Sequence, residues 1–272
     1  MARLSMNEMT TYRWSFEEDV QHYAAAGFPA IGVWRQKLSD FGEQRGIELL
    51  ARSGLAVSNL LWAGGFTGSD GRTYRESIDD AAEAVRLAAA LRASCLVVYS
   101  GARAGHTLNH ARRLVQGAIG ELVPLAEELR VTLAIEPMHP GCGGEWTFLT
   151  SLEEARALVD AVDSPRVRLA FDTYHLGFEP GIAERAAALA SRIAIVHIGD
   201  GRAPPMHEQS RARLLDGALP LREIVAALVS AGYEGYFDVE LIGEEFEAAD
   251  YLDLLAHSKQ ACGQLLDSPA AG

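Results

Sequence analysis

Four side chains with the chemistry of metal ligands stand at or near the ends of four consecutive apolar segments. They are Glu136, Asp172, His197 and Glu240, spaced roughly one strand–helix unit apart. Three carboxylates and one imidazole form an oxygen-rich donor set that suits Mn²⁺ best, with Mg²⁺, Co²⁺ or Zn²⁺ as alternatives. The alternative is that each residue separately caps a strand or pairs with an arginine. That alternative is favoured for any single residue but not for all four together, so the pattern predicts one divalent metal ion.

A metal site of this composition leaves open positions for two substrate oxygens, and such a site can support proton transfer beside a carbonyl group. A cation bound to a carbonyl oxygen and a neighbouring hydroxyl acts as a Lewis acid and stabilises an enediolate. A carboxylate placed over the α-carbon then removes its proton, and a second group returns it. Return to the other face is epimerisation, and return to the neighbouring carbon is isomerisation. Loss of a β-substituent after the same first step makes the enzyme a dehydratase or lyase.

Eight apolar segments alternate with amphipathic ones along the chain, and this alternation predicts strands followed by helices. Capping patterns at Ser15–Glu18 and Ser151–Glu154 predict helix starts, and Gly27, Gly54 and Gly232 predict helix ends. The predicted strands are Leu4–Met9, Ala30–Val33, Ala56–Leu61, Cys95–Tyr99, Val131–Glu136, Val167–Asp172, Ile193–Ile198 and Gly235–Leu241.

Two architectures fit this order of elements: a closed (β/α)₈ TIM barrel and an open doubly wound sheet. The even spacing and the count of eight favour the barrel, and no glycine-rich phosphate motif follows the first strand. We expect a single barrel domain over residues 1–266 and a frayed tail over 267–272.

The side-chain alternation within the strands indicates which residues face the barrel interior. The bulky set Val131, Leu133 and Ile135 suits the layer between sheet and helices, which leaves Glu136 facing inward. The same reasoning turns Asp172 and Glu240 inward. Both faces of the seventh strand are apolar, so its alternation does not decide the direction of His197.

Composition narrows the classes of function. The chain has 272 residues, 49% of them hydrophobic, and a net charge of −13. A surface this acidic repels phosphate backbones, so nucleic-acid binding is disfavoured. Three cysteines without a CxxC spacing argue against a disulfide framework. With no segment of transmembrane length and no signal-type start, we expect a cytoplasmic protein that does not bind membranes.

Four segments, "LAIEPMHP", "LAFDTYHLGF", "AIVHIGDGR" and "YFDVELIG", occur in order. Together they resemble the xylose-isomerase-like sugar isomerase/epimerase superfamily, which includes D-tagatose 3-epimerase and inosose isomerases. The resemblance runs from about Gly32 to about Tyr251. It implies a TIM barrel with a small-molecule carbohydrate substrate and one metal ion on the four ligands named above.

The resemblance also implies roles for individual residues. It makes Glu136 and Glu240 the acid/base pair on opposite faces of the sugar, and His175 a contact to substrate oxygen. A substrate-binding arginine falls best on Arg211, with Arg213 as the alternative. The segment "HIGDGRAPPMHEQSR" departs from the epimerase pattern, so the roles of Asp200 and Arg202 stay open.

Further substrate contacts are expected on the same rim. Trp34 and Trp62 follow the second and third strands and could stack on a sugar ring, although packing against a helix or a neighbouring subunit of a homo-oligomer fits equally well. The loop "HPGCGGEWTF" holds His139, which could contact substrate, and Glu145, whose role stays open.

Four functions remain in competition. The leading one is a metal-dependent isomerase or epimerase of a sugar, keto-sugar or cyclitol, and the runner-up is a lyase or dehydratase acting on a keto-sugar or keto-glycoside in the same barrel. A DNA-repair enzyme resembling endonuclease IV would need more strand-end histidines and a basic surface. Retention of all four ligands argues against a non-catalytic barrel.

Overall fold

The computed structural model describes residues 3–206 and 210–266. Its barrel strands are β1 (Arg3–Asn7), β2 (Ala30–Trp34), β3 (Ala56–Gly64), β4 (Leu96–Tyr99), β5 (Leu133–Ile135), β6 (Val167–Asp172), β7 (Ile193–Ile198) and β10 (Tyr236–Val239). They pair in parallel in the order β1-β10-β7-β6-β5-β4-β3-β2 and close on themselves. A short antiparallel ribbon, β8 (Asp200–Gly201) and β9 (Arg211–Ala212), lies beyond β7. The closed single-domain TIM barrel is confirmed over the open sheet, and the predicted tail 267–272 lies outside the described residues.

Helices connect the strands. Their bounds are α1 (Phe16–Ala25), α2 (Arg35–Phe41), α3 (Glu43–Ser53), α4 (Tyr74–Ala90), α5 (Leu108–Glu128), α6 (Leu152–Val162), α7 (Thr173–Leu176), α8 (Ile182–Ala188), α9 (Leu221–Ser230), α10 (Glu244–Glu247) and α11 (Tyr251–Leu266). As predicted, α1, α3 and α9 end within two residues of Gly27, Gly54 and Gly232. In the described part of the chain, no helix is long and apolar enough to cross a membrane.

The two predicted capping boxes differ in the structure. Ser15 accepts a hydrogen bond from the Glu18 N–H, and the Glu18 carboxylate accepts one from the Ser15 N–H at 2.8 Å, which completes the first box. Ser151 caps α6 by accepting from the Glu154 N–H at 3.2 Å. The Glu154 carboxylate instead accepts from the Thr150 N–H at 2.8 Å. The second motif is therefore a single N-cap. The return hydrogen bond to the Glu154 carboxylate comes from Thr150, one residue before the N-cap residue.

Apolar side chains form two cores, one inside the barrel and one between the sheet and the helices. Leu133 and Ile135 belong to the outer core, while Ala134 belongs to the inner one. This division confirms the predicted alternation on β5. Ile195 is also part of the inner core. Because side chains on a strand alternate, His197 shares the inward direction of Ile195, which the sequence pattern left undecided.

A buried ion pair fixes the segment between β1 and α1. Lys37 places its Nζ 2.6 Å from the Asp19 carboxylate and donates to the backbone oxygens of Thr11 and Glu8 at 2.8 and 3.1 Å. Glu8 in turn accepts from the Trp34 N–H at 2.6 Å. Lys37 therefore ties α2 to the loop that follows β1, at the carboxyl end of the barrel.

Burial raises the pKa of both carboxyl groups near Lys37. For Asp19 burial outweighs the opposing charge of Lys37 and brings the pKa to about 6. For Glu8 burial and then the charge of Asp19 raise the pKa well above its ordinary value. The folded state therefore binds protons that the unfolded state releases. Protonation of Asp19 therefore contributes to the free energy of unfolding. This contribution is fully present below the ordinary pKa of an aspartate and is lost as the pH rises through about 6.

The variant Lys37→Met removes the cation and leaves two buried carboxyl groups. We expect the free energy of unfolding to fall by about 3–5 kcal/mol at pH 8, where both groups ionise freely in the unfolded chain but have no cation beside them in the folded one. At pH 5 they stay protonated, so the loss is smaller. Urea unfolding at the two pH values measures both. The control is Lys259→Met on the exposed face of α11, for which we expect a change within about 1 kcal/mol. Equal losses for Lys37→Met at both pH values would contradict the charge argument.

Candidate active site

The carboxyl ends of four neighbouring barrel strands bring the predicted ligands together. Glu136 directly follows β5, Asp172 ends β6, His197 lies in β7, and Glu240 directly follows β10. One ligand atom from each residue lies within 4.8 Å of those of the other three, and all four residues are buried. Because parallel strands end at the same edge, residues far apart in sequence meet here.

The His197 imidazole lies at the centre of this cluster. Its Nδ1 lies 2.8 Å from Glu136 Oε1 and 3.3 Å from Glu240 Oε2. Its Nε2 points the other way and lies 4.0 Å from Asp238 Oδ2. Within the described residues this Nε2 is buried without a hydrogen-bond partner. The Nδ1 edge of the ring therefore contacts the glutamates at the mouth of the barrel, and the Nε2 edge is directed toward the barrel interior.

A buried arginine neutralises part of the negative charge. Arg211 Nη2 lies 3.1 Å from Asp172 Oδ2, and Nη1 donates to the backbone oxygen of Glu240 at 3.1 Å. The guanidinium lies over the ring of Tyr174, 4.3 Å from its centroid. A Cβ at residue 199 would come within 2.6 Å of Arg211 Nη1 and 2.9 Å of the Glu240 oxygen. A glycine is therefore needed at position 199, because any side chain there would occupy the space of the Arg211 guanidinium.

The charges in the cluster shift its pKa values strongly. Burial raises the pKa of Glu240 to about 8, against the opposing charges of His197 and Arg211. Burial alone would lower the pKa of His197, but the charges of Glu240 and Glu136 raise it to about 10. Burial also acts to raise the pKa of Asp172, but Arg211 and the two neighbouring histidines hold it below its usual range. Glu240 and His197 therefore hold their protons more tightly than free side chains do, whereas Asp172 releases its proton more easily.

A fourth buried carboxylate, Asp238, lies below His197 inside the barrel. Asp238 Oδ2 accepts hydrogen bonds from Asn7 Nδ2 and Asn59 Nδ2, both at 2.8 Å. A Cβ at residue 32 would lie 2.5 Å from the same oxygen, which explains a glycine there. The ligand pattern does not single out Asp238, although the alternation on β10 turns it to the same side as Glu240.

A cavity of about 180 Å³ opens above the cluster. Its lining residues are Met9, Leu61, Trp62, Tyr99, Glu136, Met138, Trp146, His175, Arg211, Glu240 and Ile242. A larger groove of about 610 Å³ between α1 and α11 contains none of the predicted ligands, so the chemistry points to the smaller cavity.

The predicted substrate contacts fall into two groups. His175, Arg211 and Trp62 line the cavity. Trp34 lies behind Trp62, with ring centroids 6.5 Å apart. His139 is absent from the lining, and its Nδ1 accepts a hydrogen bond from the Gly141 N–H within its own loop.

The residues with open roles lie away from the cavity. Asp200 accepts hydrogen bonds from the N–H groups of Leu215, Gly217 and Leu219 and so organises the loop before α9. The remaining three are on the surface: Arg202 pairs with Glu245, the alternative arginine Arg213 pairs with Asp253, and Glu145 is exposed.

Several cavity residues are not marked by the ligand pattern. Tyr99 ends β4 at the same edge of the barrel as the predicted ligands. Its place at the end of a predicted strand could therefore have marked it as a residue of the cavity. Trp146 follows the 3₁₀ turn Gly143–Glu145 in the loop after β5. Met9 and Ile242 follow β1 and β10, where ordinary apolar residues give no sequence signal for a binding wall.

Comparison with known proteins agrees with this geometry. The family model described as "Xylose isomerase-like TIM barrel" matches residues 20–261. The chain belongs to this family. A D-psicose 3-epimerase from Enterocloster bolteae is 32% identical over 116 residues, a match that covers 42% of this chain and 35% of the epimerase. An inosose isomerase from Bacillus velezensis is 25% identical over 259 residues, 90% of each protein.

Two solved structures share the fold. The protein SMc04130 from Sinorhizobium meliloti is 27% identical, with a TM-score of 0.89 over 97% of this chain and 98% of the other. The IOLI protein, solved with a bound zinc atom, is 20% identical, with a TM-score of 0.85 over the same shares. At that identity the likeness concerns the fold alone.

The Asp238 hydrogen bonds predict a loss of stability in Asp238→Asn. The substitution replaces a charged acceptor with a neutral amide, so the hydrogen bonds from Asn7 and Asn59 lose the strengthening that the charge provides. We expect the free energy of unfolding to fall by about 1–3 kcal/mol. Urea unfolding provides the measurement. The exposed Asp253→Asn serves as the control, with an expected change of at most about 1 kcal/mol. Equal stabilities of Asp238→Asn and the natural protein would contradict the hydrogen-bond assignment.

Proposed function

We propose that the protein is a divalent-metal-dependent isomerase or epimerase of a sugar, keto-sugar or cyclitol. The observation that carries this proposal is the convergence of Glu136, Asp172, His197 and Glu240 in one buried cluster. Two of its members, Glu136 and Glu240, line the cavity. The family and its relatives, a D-psicose 3-epimerase and an inosose isomerase, support the reaction class.

The donor set fits a divalent cation. Three carboxylates and an imidazole offer ligand atoms close enough together to share one ion. A fourth carboxylate, Asp238, lies on the other side of the imidazole. The oxygen-rich set favours Mn²⁺, and Zn²⁺ is the first alternative because imidazole also suits it. When bound, the ion would supply Lewis acidity toward a carbonyl oxygen and a neighbouring hydroxyl of the substrate.

The two glutamates supply the acid and the base. They approach His197 Nδ1 from β5 and from β10, and both line the cavity. One carboxylate takes the proton from the carbon next to the carbonyl, and the other returns a proton from its own side. Arg211 and His175 line the same cavity and would hold substrate oxygens. The roles of His139 and Trp34 as substrate contacts stay predictions.

A dehydratase is the second candidate. A mannonate dehydratase from Geobacillus thermodenitrificans is 28% identical over 150 residues, which is 51% of this chain and 38% of that enzyme. Removal of the same proton, followed by loss of a hydroxyl from the next carbon, would give this reaction with the same residues. The small-molecule carbohydrate substrate, the cytoplasmic location and a homo-oligomeric assembly stay predictions.

Metal binding has a direct test. Equilibrium dialysis against Mn²⁺, with metal analysis of the protein, should give about one ion per chain. The double variant Glu136→Gln, Asp172→Asn should lose it, because two of the four donors lose their charge. Glu128→Gln on the exposed face of α5 is the control and should keep its metal. An unchanged metal content in a folded double variant would contradict the assignment of the metal to these residues.

Proton transfer is tested by isotope exchange. Incubation with ketoses, keto-glycosides and inososes in D₂O should place deuterium on the carbon next to the carbonyl. Glu240→Gln should slow this exchange by about 10²–10⁴-fold, because it removes one of the two proton-transferring groups. Glu128→Gln again serves as the control.

The same experiment separates the candidate reactions. Mass spectrometry of the product distinguishes an isomer from a product that has lost water. Absence of exchange across the whole panel would contradict both reactions.

A further inference from the structure

Five aromatic side chains form a continuous arc at one side of the barrel mouth, and three of them, Trp62, Tyr99 and Trp146, line the cavity. The arc runs from Tyr12 through Trp34 and Trp62 to Trp146, with successive ring centroids 5.6, 6.5 and 5.5 Å apart. Tyr99 fills the inner side and lies 6.3 Å from Trp62 and 5.8 Å from Trp146. Both ends of the arc reach solvent, since Tyr12 is 50% and Trp146 40% exposed.

The aromatic arc and the charged cluster occupy different sides of the barrel mouth. The arc comes from β2, β3 and β4 and from the loops after β1 and β5. The charged cluster comes from the ends of β5, β6, β7 and β10. Met9, Leu61 and Met138 extend the apolar side into the cavity. The substrate therefore meets charge on one side and aromatic surface on the other.

Ion pairs hold the middle of the arc in place. Arg35 donates to the backbone oxygen of Trp62 at 3.1 Å and pairs with Asp80 at 3.0 Å. Arg72 pairs with the same Asp80 at 2.8 Å and donates to the backbone oxygen of Gly64 at 2.9 Å. The segment that carries Trp62 is thus tied down from outside the cavity before any ligand arrives, which reduces the ordering cost of binding.

A hydrogen bond to a buried carboxylate anchors the Trp34 part of the arc. The backbone N–H of Trp34 donates to the buried Glu8 carboxylate. The position of Trp34 is therefore fixed by the protein itself before any ligand binds.

This wall does not match a free monosaccharide over its whole length. A free sugar carries a hydroxyl on almost every carbon, and each hydroxyl buried against a ring without a partner weakens binding. A single ring is enough to stack on one sugar face, whereas the arc extends beyond Trp62 in both directions to the exposed Tyr12 and Trp146. Exposed aromatic rings at the mouth of a cavity are typical of surfaces that bind a ligand.

We infer that the substrate is a keto-sugar or related hydroxyketone joined to a planar apolar group, such as an aryl aglycone, which lies along the aromatic arc. The oxygen-rich part then faces Glu136, Glu240, His175 and Arg211, and the planar part contacts the arc toward Trp146. This inference rests on the proposed function, because the charged cluster must hold the reacting end.

Binding of unreactive ligands tests the inference without the reaction. Isothermal titration calorimetry, with and without added Mn²⁺, compares phenyl β-D-glucoside with methyl β-D-glucoside. These two probes share the sugar and differ only in the planar group. We expect the phenyl compound to bind at least about tenfold more tightly, which corresponds to about 1.4 kcal/mol.

Variants at the exposed end of the arc locate this preference. Trp146→Ala should weaken binding of the phenyl compound much more than binding of the methyl compound, and so remove most of the phenyl advantage. Trp146→Phe, which keeps a ring, should retain much of it. Trp14→Phe is the matched control, because Trp14 stacks on His22 and contacts Tyr251 away from the cavity. Tyr12→Ala provides a second variant at the other end.

Two outcomes would overturn the inference. The first is equal affinity for the phenyl and methyl compounds in the natural protein. The second is a change of oligomeric state in Trp146→Ala or Tyr12→Ala with an unchanged ligand preference, which would assign the arc ends to a second copy of the chain. A phenyl preference without deuterium exchange on any keto-sugar would contradict the proposed reaction and leave the binding inference standing. Deuterium exchange without a phenyl preference would contradict the binding inference and leave the proposed reaction standing.

Discussion

Four buried carboxylates within one barrel mouth set the main physical constraint on this molecule. Glu136, Asp172 and Glu240 meet at the strand ends, and Asp238 lies one layer deeper. Their negative charge is stable only where positive groups or hydrogen-bond donors face every carboxylate. Arg211 and His197 supply charge at the mouth, and two asparagine amides supply donors below. The glycines at 32 and 199 follow from the same constraint, because a side chain there would collide with these partners.

Much of the architecture can be predicted from the sequence because strand periodicity is a local property. The alternation on the fifth, sixth and eighth predicted strands correctly turns Glu136, Asp172 and Glu240 inward, and the count of eight strands indicates closure. The direction of His197 cannot be predicted in this way, since both faces of its strand are apolar. It follows from the packing of Ile195 against the other strands of the inner core. Such packing depends on residues distant in the chain.

The outer parts of the cavity are harder to predict for the same reason. The family resemblance indicates Arg211 as a substrate-binding residue. Its contacts with Asp172 and Glu240, however, depend on how the ribbon of β8 and β9 folds back over the barrel. Trp146 reaches Trp62 and Tyr99 from an irregular loop without periodicity. Met9 and Ile242 are ordinary apolar residues in the sequence. Their role as a wall arises only when the barrel closes and brings the loops around one opening.

The separation of the barrel mouth into a charged side and an aromatic side has a consequence for how such a protein diversifies. The charge balance around His197 involves residues from β5 to β10, so a change in one ligand affects all the others. The aromatic side is supported independently, by the Arg35–Asp80–Arg72 ion pairs and by Glu8. Mutations there can alter which molecules are accepted while the proton-transfer groups keep their positions. Within one barrel, selectivity and reactivity can therefore evolve as nearly independent traits.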